Sequence, residues 1–392
     1  MHIASAIYGP VQFSRLIEEL IDTVEMQRLR FIKQLSFVDL VFPDAVHTRF
    51  SHSLGVCYLA GEYAKQLGFA QDSKEYFLVQ AAALMHDIGH SPFSHALECL
   101  FELTPGIPTH EDMSAAIING SFTLDIPQAG TIPSILRKYG VDPQDVCALI
   151  LKEYKKEPVL QSIISSSVDV DRLDYLVRDS YFSGARIGSV DTFRIIAVSK
   201  NDKTHITFPA KAAPLLEQML DARKQMYSEV YIHRTVKIAE TMLKHAVMLA
   251  KEDLKDFHSL NDNDVLSRLE QSKDPLVSTL AHRVKYRKLF KIAYQLPIQF
   301  ENKEIYKRLK LKTDNEIQRE IQKRCKQLSC PLVLISFPEV KPIKNQHLID
   351  TEDIHIDTFT STKTNYSYFN VYCDDLDKEE VRRATQEYLK SL

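Results

Sequence analysis

A mainly α protein, a helical bundle over residues 1–290 followed by a small α+β lobe over residues 291–392, is predicted by three observations. Apolar side chains recur about every 3.6 residues from Leu16 as far as the helices ending near Lys251. From Pro331 onward, short β-branched and aromatic runs alternate with polar joints before a closing helical pattern. Glycine is scarce, and neither G-x-G-x-x-G nor G-x-x-x-x-G-K-[ST] occurs, which argues against a doubly wound or P-loop sheet.

Taken in order, Leu16, Leu20, Ile21, Met26, Leu29 and Ile32 predict a helix from Val11 to about Phe37. A joint carrying Pro43 and Asp44 leads to a second helix from about Ser51, with Leu54, Cys57, Gly61, Ala64 and Leu67 on one face and His52 in its first turn. A third runs from Ser73 to about Asp87 and delivers His86 and Asp87 at its C-terminal end. Pro92 suits the first turn of a further helix on which His95 and Glu98, three apart, touch. His110 and Glu111 open the next helix, and residues 121–141, rich in Pro, Gly and Thr, read as a surface excursion. Helical spacing resumes from Pro143 to Ser165 and through the stretch 168–179; a two-stranded element follows over Ile195–Phe208, then long helices from Ala213 to Lys251 and a basic helix from His282 to Lys291. The lobe is expected to hold strands over Pro331–Phe337, Ile354–Phe359 and Tyr368–Cys373 and a helix from Asp377 to Leu389.

Composition excludes several classes. The formal charge of −3 offers no global attraction to nucleic acid or membrane. No apolar run is long enough to span a bilayer and Met1–Ser5 lacks a signal-peptide pattern, so a cytoplasmic location is the expectation. Six cysteines without a C-x-x-C pair read as reduced structural thiols.

Chemistry concentrates in Leu84–His95. His86 and Asp87 offer a nitrogen and an oxygen donor from one short piece of backbone, a pairing suited to a divalent cation such as Zn, Mn or Fe. Two donors do not hold a metal, so the rest must come from elsewhere; read alone, the pair is equally a capped helix end with a solvated histidine. Asp169, Asp171, Asp174 and Asp179 alternate with apolar groups, which is either an acidic helix face in water or a set of buried carboxylates needing partners. His52 upstream and Asp171 downstream answer the search for ligands, giving the order His, His-Asp, Asp.

Arg49-Phe50-Ser51-His52, His86-Asp87-Ile88-Gly89-His90 with Ser94-His95, and Asp169-Val170-Asp171-Arg172-Leu173-Asp174-Tyr175 together resemble the HD-domain metal-dependent phosphohydrolases. More closely, they resemble the deoxynucleoside triphosphate triphosphohydrolases that pair a sterile-alpha-motif domain with an HD domain, although no sterile-alpha-motif domain is expected before Met1. The resemblance covers the helical body and returns at Lys344-Asn345-Gln346 and the final strand and helix. It implies an HD-domain helical bundle as the catalytic domain and a regulatory or oligomerisation lobe, with His52, His86, Asp87 and Asp171 as ligands of Fe, Mn or Zn and Mg accompanying the nucleotide. The metal would polarise the α-phosphate and lower the pKa of the attacking water. His95 held by Glu98, His110 near Glu111, and His90 match the family's catalytic histidines, whose task is to protonate the leaving 5′-oxygen and stabilise phosphoryl charge; His95 is the preferred acid.

The resemblance further implies triphosphate contacts from Arg49, Arg172 and Arg223, with Asp169 beside them; Arg172 stands where close relatives carry Lys. Gln34 and Asp179, with Tyr175 nearby, match the pair that bonds the 3′-hydroxyl. Leu35 and Tyr231 match residues that leave no room for a 2′-hydroxyl, although on their own they read as core packing. Ile232 replaces a Gln near the base, so base preference departs from the family. Asp22, Gln27 and Arg30, walled by Val41 and Phe42, match a guanine-nucleotide activator site, and Arg194, His233, Arg234 and Lys344 match its neighbour; Ala4 and Ser5 replace polar residues there. Such sites lie between subunits in the family, which implies a homo-oligomer, a tetramer. The expected activity is therefore hydrolysis of dNTPs to deoxynucleoside and tripolyphosphate, with GTP or a dNTP as activator and roles in dNTP balance or antiviral defence. The alternatives are another HD phosphohydrolase, acting on nucleoside monophosphates, cyclic nucleotides or DNA ends, and a nucleic-acid-binding HD protein using Arg283–Lys291, a stretch that otherwise reads as a solvated helix face.

Overall fold

The computed structural model describes residues 2–103, 109–124, 130–187, 190–297, 303–330, 332–338, 353–355 and 368–392. A hairpin of β1 (His2–Ser5) and β2 (Gly9–Gln12) opens the chain. Helices α1 (Arg15–Ile21), α2 (Val24–Arg28), α3 (Arg49–Gln66), α4 (Lys74–Met85), α5 (His110–Asn119), α6 (Ile132–Lys138), α7 (Pro143–Ile150), α8 (Pro158–Ile164), α9 (Val170–Ser183) and α10 (Thr192–Val198) follow. Strands β3 (Lys200–Asn201) and β4 (Ile206–Pro209) precede α11 (Ala213–Met226), α12 (Arg234–Leu249), α13 (Asp262–Glu270) and α14 (Pro275–Lys285). The remainder is β5 (Lys291–Pro297), α15 (Lys303–Lys310), α16 (Asp314–Gln322), β6 (Leu334–Ser336), β7 (Asp353–His355), β8 (Tyr368–Cys373) and α17 (Lys378–Lys390). Among the described residues no helix is long and apolar enough to cross a membrane.

The chain divides into two compact units, one of Met1–Met226, Lys255–Val265 and Ile343–Ser361, the other of Tyr227–Leu254, Leu266–Pro342 and Thr362–Leu392. The expected boundary between residues 290 and 291 falls at the first residue of β5, inside the second unit.

In the first unit, α3 packs on α4 and α9, and α5 on α7, burying Val56, Leu59, Tyr63, Val79, Leu84, Val146 and Leu173. Side-chain oxygens start these helices by satisfying free backbone N–H groups: Thr48 for α3, Ser73 for α4, Thr109 for α5 and Asp169 for α9. In the second unit β5, β8 and β6 form an antiparallel sheet in that order. One face closes over Ala293, Leu309, Ile317, Ile321, Val333, Phe369, Val371, Val381 and Tyr388. Those last residues lie on α17, where positions 381, 384 and 388 recur at helical spacing.

Several expectations require correction. The single helix over Val11–Phe37 is instead β2, α1, α2 and a short turn, because Thr23 takes an extended conformation (φ −68°, ψ 147°) and its hydroxyl donates to the Leu20 carbonyl, closing α1. His95 and Glu98 lie on tight 3₁₀ turns kinked at Leu97, not on an α-helix. Residues 132–138 of the expected surface excursion form α6, anchored by buried Ile132 and Leu136. Ile195 belongs to α10, and the two-stranded element is shorter, turning at Asp202, whose carboxylate accepts from the His205 N–H. The basic helix ends at Lys285, and Lys291 begins β5. Helices α15 and α16 precede the expected strands of the lobe, where no helix is predicted. The strand at Ile354 pairs with β4 in the first unit, not with the lobe sheet. Lys344–Gln346 lie outside the described residues.

Candidate metal centre

α3 carries His52 inward, one turn before Gly55. A Cβ on Gly55 would fall 2.0 Å from Asp174 Oδ1 and 2.3 Å from Arg178 Nη2, so glycine is what lets α9 approach α3 here. α9 begins at its cap Asp169 and projects Asp171 and, one turn on, Asp174 towards His52. α4 ends at His86, and the turn after it carries Asp87 and His90. Gly89 packs against α5: a Cβ would meet Ser114 N at 2.3 Å, and the Gly89 N–H donates to Ser114 Oγ at 3.0 Å. The same hydroxyl lies 3.1 Å from the His86 carbonyl and 2.9 Å from that of His110, fixing the start of α5 beside the turn.

These elements bring the four expected ligands together. His52 Nε2 lies 3.1 Å from Asp171 Oδ1 and 3.8 Å from Asp87 Oδ2; His86 Nε2 lies 3.3 Å from Asp87 Oδ1 and 3.8 Å from Asp171 Oδ1. His52, His86 and Asp171 each offer an atom within 4.8 Å of the others. His86 donates from Nδ1 to the Ala83 carbonyl at 2.8 Å, and His52 Nδ1 bonds Asp174 Oδ2 at 2.7 Å, so both rings turn Nε2 towards the shared point. Both Nε2 atoms are buried without a hydrogen bond. Two inward lone pairs with two carboxylates fit a divalent cation of borderline softness.

Electrostatics agree. Burial alone would strip the proton from His52, but Asp171 and Asp174 outweigh it and lift the ring up to about 10. A divalent cation held by Asp87 and Asp171 would take the place of a proton on Nε2. Burial raises Asp174, yet Arg178 and His52 bring it down to about 2. Asp174 accepts from Arg178 Nε and Nη2 at 2.7 and 2.8 Å and from the Tyr8 hydroxyl at 2.8 Å, so the buried charge is fully bonded.

A row of imidazoles adjoins the ligands. His90, buried, stacks on His110 with ring centres 3.9 Å apart and lies 3.4 Å from Asp87 Oδ1. Burial first, then Arg49 and the neighbouring imidazoles, hold His90 well below its ordinary pKa, so it is neutral near pH 7. His95 is 69% exposed and bonds Glu98 at 2.6 Å; His110 lies 3.5 Å from Glu98 and 3.3 Å from Glu111. Burial disfavours the Glu98 charge, but His110 and His95 override this and keep it ionised. Glu98 is therefore shared by both histidines.

Other expected residues divide by place. Arg49 is buried and donates to Ser94 Oγ and to Asp87; Arg172 is paired to Asp169. Asp179 is bonded by His47 at 2.8 Å, the Gln34 N–H donates to the His47 carbonyl at 3.0 Å, and Gln34 Oε1 is buried without a hydrogen bond. His47 thus joins the two residues expected at a 3′-hydroxyl. Leu35 and Tyr175 are half-buried in the first unit, as is Arg223 at the end of α11. Tyr231 ends a π-helical turn of the second unit, its ring 5.1 Å from that of Tyr227. At the surface, Gln27 Nε2 donates to the Ile21 carbonyl at 2.8 Å and Arg30 Nε to Gln27 at 2.6 Å, grouping them beside Asp22 at the end of α1. Val41 and Phe42 are half-buried, Arg194 is exposed on α10, and His233 and Arg234 begin α12 in the second unit. Lys344 lies outside the described residues.

Sequence reasoning assigned no supporting role at the centre to Asp174, Arg178, Tyr8, His47 or Ser94. Asp174 had a signal, since a residue one turn after a ligand carboxylate on a helix can support a ligand histidine. The others had none.

An HD domain is matched over residues 49–179 and an HD associated region over residues 190–391. An uncharacterized protein of Bacillus subtilis is 35% identical over 306 residues, covering 70% of this chain and 67% of that protein. A protein of Dictyostelium discoideum named deoxynucleoside triphosphate triphosphohydrolase SAMHD1 homolog is 32% identical over 324 residues, 75% of this chain and 60% of its own length. The human deoxynucleoside triphosphate triphosphohydrolase SAMHD1 is 30% identical over 345 residues, 74% of this chain and 54% of its own. The chain thus spans 54–67% of the length of these relatives. A crystal structure of a hypothetical protein from Aquifex aeolicus matches 98% of this chain and 99% of that one, with a TM-score of 0.78 and 28% identity. Both halves being matched, the chain belongs to the HD-domain family and is similar in sequence to the proteins named SAMHD1.

Proposed function

We propose that this protein is a metal-dependent dNTP triphosphohydrolase that releases deoxynucleoside and tripolyphosphate. The observation that carries the reading is the pair of buried, unbonded Nε2 atoms of His52 and His86 facing Asp87 and Asp171, next to a row of three imidazoles. His52, His86, Asp87 and Asp171 would hold the cation, which when bound supplies Lewis acidity to the phosphoryl group and to water. His95, open to solvent and bonded to Glu98, is placed to hand a proton to the leaving 5′-oxygen. His110, shared between Glu98 and Glu111, is positioned to stabilise phosphoryl charge, while neutral His90 supports His110 by stacking. Gln34 and Asp179, joined through His47, suit a 3′-hydroxyl, and Leu35, next to Gln34 in the same unit, would exclude a 2′-hydroxyl. Arg172 and Arg223 meet the phosphates, with Mg accompanying the nucleotide. The names of the Dictyostelium and human relatives support the substrate class.

Asp22, Gln27 and Arg30 form the guanine-nucleotide activator site of a homotetramer in this reading. Their grouping on the surface supports it: an Arg and a carboxylate at one spot match guanine O6 and its N1 and N2 donors. One observation favours a second substrate class. Arg49 and Arg172 are already paired to Asp87 and Asp169, leaving fewer cations for a triphosphate and suiting a nucleoside monophosphate.

The test incubates the protein with each dNTP, each NTP and a dNMP, with Mn or Mg, with and without GTP, and resolves the products. Tripolyphosphate from dNTPs, lost in Asp171→Ala, is the expected result. Inorganic phosphate from the dNMP alone would establish the second reading.

A further inference from the structure

We propose that Asp262, at the start of α13 and far in sequence from every motif, is a positioning residue that clamps the two backbone segments carrying Gln34–Leu35 and Ser94–His95. Its carboxylate bridges them. Asp262 Oδ2 accepts the Lys33 N–H at 3.0 Å, and Oδ1 accepts the Phe93 N–H at 2.7 Å. The residue is buried, so both bonds are shielded from water.

Three further observations make this a device rather than a helix cap. First, α13 starts without it: Asn261 Oδ1 accepts the N–H groups of Asn263 and Asp264 at 3.0 and 3.2 Å, and Asp264 Oδ2 accepts that of Asn261 at 3.0 Å. Second, the bonded backbone is strained. Phe93 and Ser94 adopt consecutive left-handed conformations, φ 56° and 52°, which a bulky side chain enters only when its surroundings over-determine it. The Phe93 ring stacks on Phe37 at 4.9 Å, and Asp262 secures the amide. Third, the strained turn is functional in its contacts: Ser94 Oγ accepts from Arg49 Nε at 2.7 Å and donates to the Lys33 carbonyl at 3.0 Å, tying both segments to the guanidinium that bonds Asp87.

The same stretch is held a second time. Buried Arg28 donates from Nε to the Leu260 carbonyl and from Nη2 to the His90 carbonyl, each at 2.9 Å. Leu260–Asp262 and Arg28 therefore grip the turn bearing His90 and His95 from behind. A displacement of about 1 Å in a positioned group can cost on the order of 100-fold in rate.

The catalytic arm of the test rests on the dNTP reading; the backbone arm does not. In Asp262→Asn one oxygen becomes an amide facing a backbone N–H, so kcat per folded, metal-loaded molecule should fall at least tenfold with the metal per chain unchanged. Asp264→Asn, which keeps its acceptor to Asn261, should leave kcat within twofold. Residue-resolved hydrogen exchange should find the Lys33 and Phe93 amides protected in the unaltered protein and exchanging at least tenfold faster in Asp262→Asn. Unprotected amides in the unaltered protein, kcat within twofold in Asp262→Asn, or an equal loss in Asp264→Asn would overturn the proposal. Should no dNTP be turned over by the unaltered protein, the functional reading fails while the exchange result still judges the clamp. Should Asp262→Asn not fold, exchange in the unaltered protein decides.

Discussion

The two units place their charges oppositely. In the first, Arg49, His52, Asp87, Asp174, Arg178 and Asp179 are all buried and bonded to one another or to His47 and Tyr8. In the second, the sheet and α17 close over an apolar core, and the ion pairs along α16 and α17, such as Glu320–Arg324 and Glu380–Arg383, are left partly or largely in solvent. Buried ions cost several kcal/mol each to desolvate, so a fold gains nothing in stability from assembling them where apolar packing would serve. Their concentration in one unit marks the place where geometry, and not stability, is the demand. The lobe shows the complementary case, in which apolar area does the holding and charge keeps the surface hydrated.

The largest effect that would sharpen this contrast is expected from Asp174→Asn. It removes the buried carboxylate paired to Arg178 and bonded to His52 Nδ1, and breaking such a buried pair costs about 3–5 kcal/mol. Support of a ligand histidine lost in this way weakens metal binding roughly 10–100-fold. Chemical denaturation and a Mn titration of the stripped protein measure both; unchanged values in both would break the contrast. Next comes Phe369→Ala in the lobe core, fully buried on β8. Truncating a buried Phe costs about 3–5 kcal/mol through lost transfer energy and a cavity, with metal affinity predicted to hold. A fall in metal affinity comparable to that of Asp174→Asn would show that the two units do not divide their tasks as described. The smallest effect is expected from Glu380→Ala, which deletes a partner of Arg383 and an acceptor for the Lys326 N–H in a solvated setting. Thermal melts should overlay within a degree or two, since exposed pairs contribute little. A large drop would mean that the lobe, too, depends on placed charge.

Much of the site was legible because its chemistry is local or spaced regularly. The His86-Asp87 pair needs only one turn of backbone, and the His95–Glu98 contact survives although the segment is 3₁₀ and not α, since positions three apart meet in either. Helix starts at Thr48, Ser73 and Thr109 are also local events. By contrast, Thr23 breaks a helix that periodicity alone continues, β5 follows a basic run that reads as helix, and the strand at Ile354 finds its partner in β4. Strand pairing and backbone competition are decided by neighbours distant in the chain, to which a window of apolar spacing is blind.

By itself the sequence determined which residues could ligate a cation, in what order they come, and that helices carry them, because donor type and helical period are properties of short stretches. Only the tertiary structure decided what holds the ligands: that Asp174, Arg178 and Tyr8 stand behind His52, that Glu98 serves two histidines, and that Asp262 reaches back to Lys33 and Phe93. These are contacts between segments up to 229 residues apart. A buried charge finds its partner wherever the packed chain leaves one within reach, and that proximity is a product of the whole fold.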